Sequence, residues 1–173
     1  MRKLFVIGIL LLSVGLLVAQ DTVVNFAGTW TMNADKSEFG GGGGGGRGGR
    51  GGRGFGGSSK MVVEQKENLL TVETFRTNRD GEEMSTVSKY TLDGKECDNS
   101  TERRTETSTA TWSKDGKKLV IESTMTMYRQ DQEFTMESTQ TWSIAKDVLT
   151  IESVRSTPMG EMTSKAVYDR AKE

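Results

Sequence analysis

Residues 112–123 read WSKDGKKLVIES, and residues 142–153 nearly repeat them as WSIAKDVLTIES. Each copy sets an aromatic residue at the end of one run of alternating apolar and polar residues. A tight turn follows, then a second run with leucine and isoleucine in the same register. Fainter copies flank the pair: Tyr90 precedes Asp93-Gly94, and Tyr168 ends the last run. A period of two with polar turns predicts antiparallel hairpins. Hairpins repeated to the end of a chain need a closed or doubled sheet to hide their edges. The expectation is an all-β, antiparallel up-and-down meander barrel of about ten strands.

Working outward, the first strand is expected over residues 25–33, NFAGTWTMN. Further runs fall at about 60–66, 69–76, 83–92, 95–101, 104–113, 117–129, 132–143, 147–155 and 160–169. Turn residues join them: Glu67-Asn68, Asp80-Gly81, Asp93-Gly94, Asp115-Gly116, Gln130-Asp131 and residues 158–160. Residues 40–57 are rich in glycine and carry Arg47, Arg50 and Arg53. Glycine this dense is costly to order, so a flexible insertion over the barrel mouth is expected.

The start of the chain predicts something else. Arg2 and Lys3 precede an apolar stretch over residues 4–18 that ends near Ala19, the pattern of a secretory signal peptide. Residues 1–19 are expected to be removed, leaving one domain over residues 20–173 with no membrane span, exported to the periplasm or outside. Cleavage takes two of 23 basic residues and none of 24 acidic ones, moving the net charge from −1 to −3. That balance does not fit a dedicated nucleic-acid binder. The chain has no histidine. Ser-His-Asp and Cys-His nucleophile systems and histidine metal sites are therefore excluded. The lone Cys97 has no internal disulfide partner.

The register separates two faces. Trp30, Met84, Tyr90, Trp112, Leu119, Ile121, Trp142, Leu149, Ile151 and Tyr168 point inward. Thr107, Thr109, Thr111, Glu122, Glu137 and Glu152 point to solvent, which excludes a membrane-spanning barrel. With alternating strand direction, Trp30, Tyr90, Trp112, Leu119, Trp142, Leu149 and Tyr168 gather at one end as a floor, Trp112 over Leu119 and Trp142 over Leu149. Midway up come Ser88, Ser108, Ser123, Ser138, Ser153, Ser164 and Gln140, and near the mouth Arg76, Arg104, Arg129 and Arg155. A solid core would carry bulky aliphatics at the middle level, so small hydroxyls there predict a wettable cavity.

These positions carry a resemblance. Residues 26–32, FAGTWTM, resemble the calycin opening, and the Phe-x-Gly-Thr-Trp form is most similar to that of the fatty-acid-binding proteins. Residues 166–172, AVYDRAK, resemble that family's closing stretch. Secreted bacterial lipocalin-like proteins share the GTW start, the DGK turns and a terminal VYD. The resemblance implies a ten-strand ligand-binding barrel. Matched on Tyr168, the family's clamp arginine falls at Ala166, so only the tyrosine carries over.

The expected ligand is a small hydrophobic or amphipathic molecule held by a monomer. The candidate residues are Arg76, Arg104, Met125, Met127, Arg129, Phe134, Met136, Arg155, Met162 and Tyr168. Arginine offers a planar fork of donors to an anionic head, or pairs with a rim acid such as Glu106. The methionines suit adaptable apolar lining; no metal or other cofactor is expected. Carboxylates paired for catalysis cannot be placed, and no enzymatic activity is expected. The alternative is a cell-envelope structural or interaction protein with a solid barrel, contacting partners through the Gly/Arg-rich insertion.

Overall fold

The computed structural model describes residues 23–39, 58–78, 80–102, 104–129, 132–157 and 160–172. The expected signal peptide and the 40–57 insertion lie outside these residues. The described chain forms strands β1 (Gly28–Met32), β2 (Glu38–Phe39), β3 (Lys60–Lys66), β4 (Leu69–Thr77), β5 (Glu83–Thr91), β6 (Cys97–Asp98), β7 (Arg104–Trp112), β8 (Lys118–Arg129), β9 (Gln132–Ala145), β10 (Val148–Thr157) and β11 (Gly160–Arg170). All pairings are antiparallel. The sheet order is β5-β4-β3-β1-β11-β10-β9-β8-β7-β6, a ten-strand meander curled into a nearly closed barrel, with β2 added on β11. The expected all-β fold is therefore the fold observed.

Closure comes through β1, which pairs β3 on one side and β11 on the other. Trp30 stands opposite both Met61 and Arg170. The Arg170 guanidinium lies over the Trp30 ring at 4.2 Å, and its Nη1 donates to the Ala27 carbonyl at 2.9 Å. Gly28 adopts φ +143°, where a Cβ would collide with that Nη1. Glycine is required here by both conformation and space.

Details differ from the sequence reading. The first strand is shorter than 25–33, because residues 23–27 leave the sheet and cross the floor. Val24 N–H donates to the Gly116 carbonyl, and Phe26 N–H to Gln65 Oε1 at 2.9 Å. Phe26, fully buried, stacks on Trp112 and meets Trp142 edge-on, each at 5.8 Å. The run expected over 95–101 contracts to β6. Among the described residues no ladder joins β5 to β6 or β7, so the meander is split there. Asn99 bridges the split: its Oδ1 accepts from Lys89 N–H at 2.8 Å and its Nδ2 donates to the Lys89 carbonyl at 3.0 Å. Thr91 N–H donates to Cys97 Sγ at 3.1 Å.

The two near-repeats do not pair alike. In β7–β8 Trp112 faces Leu119, as expected, but in β9–β10 Trp142 faces Ile151 and Leu149 faces Ile144. The physical cause is the turn. Lys146 and Asp147 both take left-handed φ values, making a two-residue connection, whereas residues 113–117 form a longer loop. The register moves by two, so every side chain keeps its face.

Candidate functional site

The inward positions stack in rows across the strands. Ala110, Ile121 and Gln140 lead by pairing to Ser153 and Ser164. One row further toward the mouth come Ser108, Ser123, Ser138, Arg155 and Met162. Beyond that lie Glu106, Met125 and Met136, then Arg104, Met127 and Phe134. Below the serines, buried Trp142, Ile151, Ala166, Tyr90 and Tyr168 close the floor.

Between these rows lies a cavity of about 390 Å³. Its wall includes Ser88, Ser123, Ser138, Gln140, Ser153 and Ser164, the small polar residues the register placed inward. Ser108 is buried at 2% exposure and bonds to Ser123 at 2.9 Å, which ties it into the wall. Gln140 Oε1 accepts from the Trp142 indole N–H at 3.0 Å, satisfying the polar edge of the floor. Leucine at these positions would each bury about 1.5–3 kcal/mol of apolar surface. Serine gives that up and leaves room.

Six of the ten candidate residues line the cavity: Arg76, Arg104, Met125, Met136, Arg155 and Tyr168. Met127 and Phe134 share the inward register and are half-buried, but they stand mouthward of the lining; Met162, also half-buried, lies opposite Arg155 in the serine row without being part of the lining. Arg129 pairs with Gln132 at the end of the β8–β9 ladder. Met84, assigned to the inward face, is 61% exposed opposite Arg76 at the end of β4–β5. Strand tilt is the reason: rows climb across the barrel, so equal sequence offsets do not give equal heights. The same tilt sets Arg155 in the serine row rather than on a ring with Arg104.

Glu106 and Arg104, two apart on one strand, share a face and pair at 2.9 Å. Arg104 Nε is buried without a hydrogen-bond acceptor. Burial lowers the Arg155 pKa, nearby Arg76 lowers it further, and Glu106 opposes both. Burial pushes Tyr90 up to about 12; Ser88, hydrogen-bonded to it, pulls down, Glu106 raises and Arg104 lowers. Burial also raises Tyr168, against a hydrogen bond with Ser58 and the charge of Arg76. Among the described residues no three His, Cys, Asp or Glu side chains gather as a metal site.

The wall also uses residues that the sequence reading left aside: Ser58, Met61, Val72, Thr74 and Phe39. Alternation in residues 60–76 would have found three of them, since Met61, Val72 and Thr74 all follow the inward register from Trp30. Phe39 had no signal, because β2 forms only by adding to β11.

No protein-family model matches the chain, and no curated protein matches it in sequence. Among solved structures it is similar to a crystal structure of zebrafish ileal bile acid-binding protein complexed with cholic acid. The identity is 17%, over 65% of this chain and 72% of that one, with a TM-score of 0.44.

Proposed function

We propose that this chain is a non-enzymatic binding protein that takes a small amphipathic molecule into the barrel. The observation that carries the reading is the unfilled interior: a floor of packed aromatics, a serine and glutamine wall, and arginines and methionines toward the mouth. A volume of about 390 Å³ lies within the usual range of small-molecule sites. Met125 and Met136, paired across β8–β9, give a ligand's apolar part an adaptable surface. Arg76, Arg104 and Arg155 give its polar part donors. Catalysis has little to work with in this wall, whose one described carboxylate, Glu106, is held by Arg104.

The proposal extends to location. Residues 1–19 act as a signal peptide, and the barrel works after export. Amino-terminal sequencing of the protein from its own host would start near Gln20; a chain retaining residues 4–18 would overturn this part.

The binding reading is tested by mass spectrometry of molecules co-purified with the host protein. Delipidated protein is then titrated with an environment-sensitive hydrophobic probe. The expected result is saturable binding at one site, displaced by the co-purified compound. The absence of both a co-purified molecule and saturable binding would overturn the reading.

A further inference from the structure

The hydroxyls of the inner face are not all engaged. Ser108 bonds to Ser123, Ser88 to Tyr90 and Ser58 to Tyr168. Ser138, Ser153 and Ser164 also line the cavity and are half-buried, and no hydrogen bond joins their side chains to any described residue. Gln140 is engaged at one end only. Its Oε1 accepts from the Trp142 indole N–H at 3.0 Å, which fixes the amide and leaves both N–H groups of Nε2 to donate.

These groups are neighbours. Gln140 stands opposite Ser153, and Ser153 opposite Ser164, across β9, β10 and β11. Strands lie about 4.8 Å apart, so the three span about 10 Å of one inward row. Ser138 stands one step mouthward of Gln140 on the same strand. Ser153 and Ser164 face each other as Ser108 and Ser123 do, yet only the second pair is bonded. Buried hydroxyls normally find a partner, and a hydroxyl facing a cavity takes it from whatever fills the cavity. Beneath the row lie Trp142, Ile151 and Ala166 of the floor, and two rows mouthward stand Met125 and Met136. The order in depth is apolar floor, neutral hydrogen-bonding row, apolar methionines. None of Gln140, Ser153 and Ser164 carries a charge, so this row recognises its ligand by hydrogen bonds alone.

We propose that the row of Gln140, Ser153 and Ser164 holds a compact, neutral, polyhydroxylated end of the ligand. That end enters first, and the apolar body follows against Met125 and Met136. This rests on reading the barrel as a small-molecule binder. Each serine offers a donor and an acceptor and Gln140 two donors, so two or three hydroxyls of one group are met together. An apolar end at this depth would leave the same groups unpaired in a dry site. A sugar ring and an open-chain polyol share this chemistry.

The test uses an eight-carbon tail with different heads, each compound displacing a bound fluorescent probe from delipidated full-length protein. Octyl glucoside carries a sugar ring, monooctanoylglycerol an open-chain diol, and 1-octanol a single hydroxyl. The first two are expected to bind about tenfold tighter than 1-octanol, as two further hydrogen bonds would give. The tighter of the two identifies the form of the head. Ser153→Ala combined with Ser164→Ala should cut that preference to about twofold, since each lost hydroxyl removes one such bond. Thr139→Ala, next to Gln140 but outside the lining, should leave it whole. If the double variant folds poorly, the unaltered protein decides. The chain's three tryptophans, Trp30, Trp112 and Trp142, all belong to the floor cluster. Octyl glucoside brominated at the end of its tail should leave their fluorescence unquenched, because the tail lies mouthward. Equal binding of all three compounds, a preference that survives in the double variant, or strong quenching by the brominated tail overturns the polyol assignment and leaves the binding reading standing. Binding of no eight-carbon compound and no probe overturns the binding reading itself.

Discussion

Tyr90 shows at the residue scale how the cavity wall is held. Its ring is 7% exposed, and burial pushes the phenol up to about 12, well above its ordinary value of 10. The folded state resists ionisation that the unfolded chain accepts. The stability contribution is therefore whole below pH 10 and is lost as pH rises toward 12. Tyr168 is shifted in the same direction. Urea denaturation followed from about pH 9 to pH 12 should show a loss of roughly 2–3 kcal/mol, reduced in Tyr90→Phe. A flat profile over that range would contradict the burial argument. That Tyr90 faces inward was legible from alternation alone. That Glu106 and Arg104 stand beside it was not, because β5 and β7 meet across the split without a ladder to set their register.

The hairpins carry the element scale. The two near-repeats looked equivalent in sequence, yet their turns differ and their registers differ by two. Lys146, at φ 50°, occupies a left-handed position that costs a non-glycine residue about 1–2 kcal/mol. Asparagine tolerates this conformation and suits the first position of such a turn. Lys146→Asn should raise the urea midpoint, by about 0.5–1 kcal/mol in stability; a lower midpoint would show that the lysine side chain matters. Asp147 is left unchanged because its carboxylate accepts from Arg170 Nε at 3.2 Å, and Arg170 in turn covers Trp30. A single turn thus connects to the closure of the barrel.

The whole molecule is organised as a packed floor beneath an unfilled middle. If the serine wall is kept for binding rather than for packing, filling it should trade one for the other. Ser138→Leu places an aliphatic side chain in the cavity opposite Arg155. It should gain about 0.5–2 kcal/mol of stability and abolish probe binding. Lost stability with probe binding retained would mean that the wall is structural. The closure through β1 and the split bridged by Asn99 belong to this scale as well. Neither can be assigned from one strand, since each depends on the sum of all strand tilts around the barrel.

Alternation by itself determined the strand class, most of the inward and outward faces, and the serines of the interior. The reason is that a period of two is a local property, set by where successive side chains point. Only the tertiary structure decided which of those inward residues share a height, because shear accumulates from strand to strand. It drew Arg155 down to the serine row with Met162 opposite it, left Met127 and Phe134 mouthward of the cavity, and brought Phe26 across the floor. The hairpin over residues 112–123 specifies the barrel through its local pattern. The cavity above it is made by residues from strands far apart in sequence, and their meeting is a matter of closure.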